Sequence, residues 1–245
     1  MKCYFNILLE FDKTIVNETI ENTVRNSQKG YVCAIESNNL TIANKNEEFR
    51  KIINNALVNI CDGSNITWFL SKIHKQPYKS YVGNDIFLHF IAQKKYRHYF
   101  LGNTPDILHN LRENLFKIDP QISQMQFIGL PFRGVEKFDY PSIADSINKD
   151  KPDLIWVSLG APKQEIFMSM LCPYIQKGVL FGVGAAFNFN AKVGPVKRAP
   201  KWMRNLRMEW VYRAFEEPQK NIPRYWGFLK LLPKLLINEI HNREK

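Results

Sequence analysis

The chain has 245 residues, of which 45% are hydrophobic and 23% are charged, and this balance excludes a globally disordered protein. The length suits one sizeable α/β domain, or one such domain followed by a tail. The net charge of +11 predicts an anionic partner, namely nucleic acid, anionic lipid or a phosphorylated substrate.

Short apolar strands alternate with helices over the first part of the chain. Strands are predicted at Phe5–Leu9, Tyr31–Ile35, Ala56–Cys61, His98–Leu101, Phe127–Leu130, Leu154–Leu159 and Val179–Val183. Helices are predicted at Asn17–Asn26, Asn39–Asn55, Asp85–Lys94 and Ile143–Asn148, after the N-cap Thr104, and from Lys163. This alternation predicts an α/β fold: a Rossmann-like, mostly parallel sheet with helices on both faces.

From Pro200 onward the predicted strands stop, and the chain is helical, basic and aromatic. Between Lys192 and Lys245 there are 13 Lys and Arg against 5 Asp and Glu, so this part carries +8 of the net charge and the first 191 residues carry +3. We therefore expect an α/β ligand-binding domain over residues 1–195 and a basic, aromatic helical appendage over residues 196–245. Arg and Lys interleaved with Trp and Tyr are typical of helices at membrane interfaces. A core-packing helix with a basic face, or an RNA-binding one, remains an alternative.

The four cysteines and the length of the apolar runs indicate where in the cell the protein is located. The cysteines are scattered without CxxC spacing, at Cys3, Cys33, Cys61 and Cys172. Free thiols fit a reducing cytoplasm, and neither a zinc site nor a redox motif is predicted. No signal peptide and no membrane-spanning run are recognised, so we expect a cytoplasmic protein that docks peripherally on the inner face of the cell membrane.

In a parallel sheet, ligands bind beyond the carboxyl ends of the strands, so the loops after Cys61, Leu101, Leu159 and Val183 are candidates. Gly102 and Asn103 precede a helix N-terminus, which suits phosphate but is also an ordinary capped turn. Small residues around Gly184 allow either close approach of a ligand or close helix packing.

Polar side chains cluster after two of these strands. Beyond Gly160, Gln164 is suited to hold a base, ribose or sugar and Lys163 a phosphate, although Glu165 simply complements a helix dipole in the alternative view. Asp62 follows a strand and precedes Gly63, which suits a general base or a common Asp-Gly turn. No Asp-x-Asp pair, phosphate loop, HExxH or GxSxG motif occurs, so we predict neither a metal nor another cofactor.

Taken together, these motifs resemble the WecG/TagA/CpsF glycosyltransferase family. The matching residues are Pro152–Leu154, Gly160–Glu165, Gly182–Phe187, Val193, Gly194, Lys197–Trp202, Glu209–Arg213, Glu217, Pro218, Arg224 and Tyr225. The resemblance implies a Rossmann-like enzyme with a membrane-docking helical appendage. It also implies inverting transfer of a hexose or N-acetylhexosamine, often N-acetylmannosamine, from a UDP-sugar to a lipid-pyrophosphate-linked saccharide. Such transfer serves cell-wall, capsule or exopolysaccharide synthesis.

The resemblance also implies roles for individual residues. Asp62 matches the catalytic base and Gln164 a polar residue near the sugar or nucleotide. With the loops above, the predicted catalytic residues are Asp62 and Gln164, and the predicted substrate-binding residues are Gly63, Asn38, Asn39, Gly102, Asn103, Gly160, Lys163, Glu165, Gly184, Arg213, Lys220 and Arg224.

Three short segments of the chain depart from the family pattern. Glu36, Ser37 and Asn38 stand in place of Thr-x-Asn, Lys79 and Ser80 in place of an Arg, and Asn188 in place of an Asp. They leave open the donor sugar, and also the alternative of a catalytically degenerate protein that binds membranes or RNA. A Rossmann-type oxidoreductase or methyltransferase is disfavoured, because no GxGxxG opens the first βαβ unit.

Overall fold

The computed structural model describes residues 1–194 and 196–243. Its strands are β1 (Lys2–Tyr4), β2 (Ile7–Leu9), β3 (Lys29–Ile35), β4 (Val58–Cys61), β5 (His98–Gly102), β6 (Gln126–Ile128), β7 (Leu154–Ser158) and β8 (Gly178–Gly182). Its helices are α1 (Lys13–Arg25), α2 (Ser37–Lys45), α3 (Glu47–Asn54), α4 (Ser64–His74), α5 (Gly83–Ala92), α6 (Pro105–Phe116), α7 (Tyr140–Asp150), α8 (Lys163–Leu171), α9 (Ala186–Ala191), α10 (Lys201–Asn205), α11 (Glu209–Glu216) and α12 (Pro218–Arg243).

Six parallel strands form the main sheet in the order β4-β3-β8-β7-β5-β6. The central strands β7 and β8 are buried along their whole length, as expected for a sheet covered on both sides. One apolar core includes residues of α2, α3, α4, α7 and α8, and a second includes residues of α1, α5, α6 and α9. The predicted α/β fold with helices on both faces is confirmed.

The N-terminal strand prediction needs a correction. A single strand is predicted at Phe5–Leu9, but β1 and β2 form an antiparallel hairpin whose turn lies at Phe5 and Asn6. Both turn residues have positive φ angles of 50° and 66°, which end one strand and begin the next. The hairpin stays outside the main sheet, which it meets through a bridge between Glu10 and Ile60.

Two helix predictions also change. The single helix predicted at Asn39–Asn55 is two helices, because Asn46 leaves the helical conformation and its side chain accepts a hydrogen bond from the Phe49 amide at 3.0 Å. The first of the two begins at Ser37, so Asn38 and Asn39 lie in its first turn. Helix α4, at Ser64–His74, has no counterpart in the sequence prediction.

The basic tail is helical, as predicted, and part of it packs on the α/β body. Helix α12 contacts α2 and α4 and buries Phe228 and Leu235. Its Glu239 carboxylate accepts hydrogen bonds from the Phe5 amide at 2.7 Å and pairs with His74 at 2.8 Å. Within the described residues no helix is long and apolar enough to cross a membrane. The predicted boundary between the two parts falls at Pro195, which lies outside the described residues.

Candidate active site

Asp62 follows β4 directly and lies at the N-terminus of α5. Its backbone amide donates to the Ile35 carbonyl at 2.9 Å, and its Oδ1 accepts a hydrogen bond from the Gly83 amide at 3.0 Å. Burial raises the pKa of Asp62 to about 6; the Gly83 hydrogen bond opposes this shift, and the nearby carboxylate of Glu209 adds to it. One carboxylate oxygen is thus held by the backbone, while the group titrates near neutral pH.

A second carboxylate, Glu36, follows the neighbouring strand β3 and is the N-cap of α2. The Asn39 side chain accepts from the Glu36 amide at 3.4 Å, and Ser37 donates to the Glu36 carboxylate at 3.3 Å. Burial raises the pKa of Glu36, whereas the backbone of Asn38 and the cation of Arg224 lower it. Asn38 and Asn39 are themselves buried, so they hold this turn in place.

A third carboxylate, Glu165, is fully buried in the first turn of α8. It accepts a hydrogen bond from the Gln164 amide at 3.0 Å, and its second oxygen has no partner of standard geometry among the described residues. Burial raises the pKa of Glu165 to about 7. The Gln164 oxygen accepts from the Gly184 amide at 3.1 Å, so this side chain fastens the loop after β8 to α8.

The loop after β5 is tied to β7 and α9 through Asn103. The Asn103 amide donates to Ser158 at 3.1 Å and to Asn188 at 3.0 Å, and Ser158 donates to the Gly184 carbonyl at 2.7 Å. Gly102 has a φ of 97°, and an added Cβ would lie 2.6 Å from the Ser158 carbonyl oxygen. A glycine is therefore required here for packing against β7, which fits the ordinary turn that the sequence left open beside a phosphate-binding one.

Two arginines from the tail reach this edge of the sheet. Arg224 of α12 donates to the Ala161 carbonyl at 3.2 Å, and Arg213 of α11 pairs with Glu209 at 3.3 Å and lies over the Phe189 ring at 5.1 Å. Both cations lower the pKa of Glu36, and Arg213 also lowers that of Asp62. Positive charge from the tail therefore lies beside the carboxylates of β3 and β4.

The remaining predicted site residues lie at the edges of this cluster. Gly63 is the N-cap of α4, and Gly160, with a φ of 73°, faces open space on its Cβ side. Lys163 lies over the rings of Phe132 at 5.2 Å and Phe138 at 5.4 Å, and Lys220 pairs locally with Glu217 at 2.9 Å. The structure thus assembles most of the predicted residues at one edge of the sheet, and it engages these two lysines in local contacts.

A comparison with known families shows which family the chain belongs to. The sequence model of the glycosyl transferase WecG/TagA/CpsF family matches residues 5–245. The chain belongs to this family. The match runs through α10, α11 and α12 as well as the sheet, so the basic tail is part of the family pattern. The resemblance described from sequence motifs is confirmed, and the protein is a glycosyltransferase.

Two relatives of this WecG/TagA/CpsF member carry the same descriptive name, N-acetylglucosaminyldiphosphoundecaprenol N-acetyl-beta-D-mannosaminyltransferase. The relative from Bacillus spizizenii is 28% identical over 192 residues, which is 75% of this chain and 72% of the relative. The relative from Bacillus subtilis is 27% identical over 189 residues, which is 74% of this chain and 71% of the relative.

The structure adds residues to the candidate site of this WecG/TagA/CpsF enzyme that sequence reasoning missed. Glu36 follows β3 and was named from sequence only as a departure from the family pattern, although the rule on carboxyl ends of strands would have made it a candidate beside Asn38 and Asn39. Glu209 was quoted from sequence only as part of the family motif Glu209–Arg213, because its place near Asp62 depends on how the tail packs. Asn190 donates to Asn84 at 2.7 Å and so links α9 to the start of α5, beside the amide that binds Asp62.

Proposed function

We propose that the protein is an inverting glycosyltransferase of cell-surface polysaccharide synthesis. It transfers a hexose or N-acetylhexosamine from a UDP-sugar to a saccharide linked to a lipid pyrophosphate. The observation that carries this proposal is the meeting of Asp62 with the tail cations Arg213 and Arg224 at one sheet edge. The names of the two Bacillus relatives support a lipid-diphosphate acceptor, and they make N-acetylmannosamine the first donor sugar to test.

In this proposal Asp62 is the general base. The acceptor hydroxyl attacks the anomeric carbon from the side opposite the UDP leaving group, and the carboxylate takes the hydroxyl proton. With a pKa of about 6, Asp62 is mostly ionised at neutral pH and is basic enough to receive that proton. The Gly83 amide fixes Oδ1, which leaves Oδ2 to face the acceptor.

Negative charge grows on the departing diphosphate and has to be stabilised. Arg213 and Arg224 are suited to this role, because each guanidinium can donate two hydrogen bonds to phosphate oxygens. The sequence lacks an Asp-x-Asp pair, and the described residues contain no group of three or more His, Cys, Asp or Glu that could hold a metal. We therefore propose the arginines as the source of charge stabilisation and expect no cofactor.

The tail is also proposed to hold the enzyme on the inner face of the cell membrane. Helix α12 buries one face against the body and leaves an apolar stripe exposed on another, formed by Ile222, Trp226, Leu229, Ile237 and Ile240. These positions are three, four or eight residues apart, so they lie along one side of the helix for about 27 Å. Lys230 and Lys234 flank the stripe, as in helices that lie at anionic bilayer surfaces.

A donor panel tests the proposed reaction. Purified enzyme is incubated with UDP-N-acetylmannosamine, UDP-N-acetylglucosamine or UDP-glucose and a short-chain lipid-pyrophosphate-N-acetylglucosamine acceptor, and UDP release and the glycosylated lipid are measured. One donor should give both products only when acceptor is present. The anomeric configuration of the new linkage should be opposite to that of the sugar in the UDP-sugar donor. Failure of every UDP-sugar would contradict the proposal and favour a membrane- or RNA-binding protein without catalysis.

A further inference from the structure

Phe132 is the most exposed large hydrophobic residue in the described chain. It lies in the loop between β6 and α7, and its relative exposure is 104%, so the ring is entirely in water. Its neighbours Pro131, Arg133 and Gly134 are exposed as well. Single exposed apolar side chains are common on protein surfaces, so the meaning of this ring depends on the residues around it.

The base of this loop is firmly held, so Phe132 is presented on a defined surface. The Tyr140 hydroxyl donates to the Val135 carbonyl at 2.7 Å, and Arg133 donates to the Lys137 carbonyl at 3.3 Å. Phe138 is buried and packs edge-on against Phe167 of α8, with ring centroids 5.1 Å apart. The tip therefore projects from an ordered base.

The loop lies on the same edge of the molecule as the amphipathic tail. The Lys163 ammonium, at the start of α8, lies 5.2 Å from the centroid of the Phe132 ring. Two residues earlier, the Ala161 carbonyl accepts a hydrogen bond from Arg224 of α12 at 3.2 Å. The loop and α12 thus both contact the chain at the N-terminal end of α8.

Cations lie near the exposed ring. The Lys163 ammonium lies over it, and the same loop carries Arg133 and Lys137 as well as one carboxylate, Glu136. An exposed aromatic ring accompanied by Lys and Arg matches the chemistry of an anionic bilayer surface, in which the ring enters the headgroup region and the cations meet lipid phosphates.

We infer that the loop of residues 129–137 is a second membrane contact, with Phe132 inserted among the headgroups of an anionic bilayer. This inference rests on the membrane docking proposed for the tail. Two separate contacts fix orientation as well as affinity, because the second one forms at high effective concentration once the first has formed. The carboxyl edge of the sheet would then face the bilayer, where the diphosphate of a lipid-linked acceptor lies.

The chain offers a matched control for testing this inference. Phe116 is also an exposed phenylalanine, but it ends α6, which starts beyond the carboxyl end of β5 and runs back to the opposite edge of the sheet. Full-length wild type, Phe132→Ser and Phe116→Ser are compared by co-sedimentation with vesicles of phosphatidylglycerol and phosphatidylcholine. Trp226→Ser serves as the tail variant, Phe132→Trp as the conservative one, and UDP affinity is measured for each by calorimetry.

The expected result is that Phe132→Ser needs roughly three- to tenfold more lipid for half-maximal binding, as when one aromatic side chain no longer leaves water. Phe116→Ser and Phe132→Trp should bind like the wild type, and UDP affinity should be unchanged. Equal vesicle binding by Phe132→Ser and Phe116→Ser overturns the inference. Weaker UDP binding by Phe132→Ser with unchanged vesicle binding overturns it as well. If Trp226→Ser weakens vesicle binding and Phe132→Ser does not, the inference about the loop fails and the proposed tail docking stands. If the wild type does not bind vesicles, both the inference and the proposed tail docking fail.

Discussion

Burial raises the pKa of three carboxyl groups at the same edge of the sheet, and each has a different environment. Asp62 has one oxygen held by the Gly83 amide, Glu36 lies near the tail arginines, and Glu165 is enclosed with one oxygen lacking a good partner. Glu36 raises the pKa of both of the others, so the three groups share one electrostatic environment. A diphosphate bound beside the arginines would therefore change the electrostatic environment of all three carboxyl groups.

The pH dependence of the reaction follows from Asp62. A base with a pKa of about 6 loses its function when protonated, so we expect kcat/KM to fall tenfold per pH unit below about 6. Glu209→Gln should move this acid limb to lower pH, because it removes a carboxylate that raises the Asp62 pKa and releases Arg213, which lowers it. A pH profile of steady-state rates measures both effects, and a wild-type profile that stays flat down to pH 5 would contradict them.

The raised pKa of Glu165 predicts that the stability of the fold depends on pH. Its pKa is raised from 4.5 to about 7 in the folded chain, so the folded state holds this proton more tightly than the unfolded state. The stabilisation is complete below pH 4.5 and is lost as the pH rises through 7. Glu165→Gln should therefore raise the free energy of unfolding by about 2 kcal/mol at pH 8 and much less at pH 5.

Urea denaturation of wild type and Glu165→Gln at pH 5 and pH 8 measures this difference. Equal effects at the two pH values would show that the Glu165 carboxylate does not remain ionised and buried at pH 8. Glu216→Gln, on the exposed side of the tail, is a suitable control that removes the same kind of charge without removing burial.

At the level of elements, α12 connects the active site to the N-terminal hairpin. Its first half carries Arg224, and near its other end Glu239 binds the Phe5 amide and His74. Between them, Phe228 and Leu235 are buried against the body. The helix is therefore held at both ends, and its attachment determines where the Arg224 side chain lies.

Glu239→Ala should loosen this attachment. It leaves the Phe5 amide and His74 without their partner, which should lower the free energy of unfolding by about 1–3 kcal/mol and make the tail easier to digest. KM for the UDP-sugar should rise, because Arg224 is carried by the same helix. Limited trypsin digestion and steady-state kinetics measure these changes, with Asn238→Ala on the exposed face as the control, because this change leaves every trypsin site in place. Unaltered digestion of Glu239→Ala would contradict the account.

The sequence predicted the βα alternation well because the strands are short apolar runs followed by polar caps. The N-cap at Thr104, for example, is confirmed by its hydrogen bond with the Ile107 amide at 3.4 Å. Breaks that depend on a single polar residue were missed, such as the positive φ angle of Asn6 and the second cap at Asn46. Local propensity does not reveal which of many asparagines leaves the regular conformation.

Site residues were predicted where a strand end and a family motif coincide, as at Asp62 and Gln164. Sequence did not reveal that Gln164 is enclosed, with its amide engaged by Glu165 and Gly184, since such pairing depends on tertiary contacts. Asn188, where the family has an aspartate, accepts a hydrogen bond from Asn103, and this contact shows how an uncharged residue is accommodated there.

At the scale of the whole molecule, the site consists of two parts that are distant in sequence. The α/β body supplies Asp62 and Glu36 from adjacent strands, and the tail supplies Arg213 and Arg224. The same tail presents an exposed apolar stripe, so the docking on the bilayer and the completion of the site that we propose both depend on the same helices. We expect turnover to be faster on vesicles that contain the lipid acceptor than with a detached, water-soluble acceptor.

The central claim is that Asp62 is the base of a transfer reaction carried out at this edge, and Asp62→Asn tests it most directly. The asparagine oxygen can still accept the Gly83 hydrogen bond, so the loop should keep its position while the basic group is lost. With the donor sugar identified by the panel, we expect sugar transfer to fall by about 10²- to 10⁴-fold while UDP affinity stays within about twofold of wild type. Transfer by Asp62→Asn at a rate close to that of wild type would contradict the account.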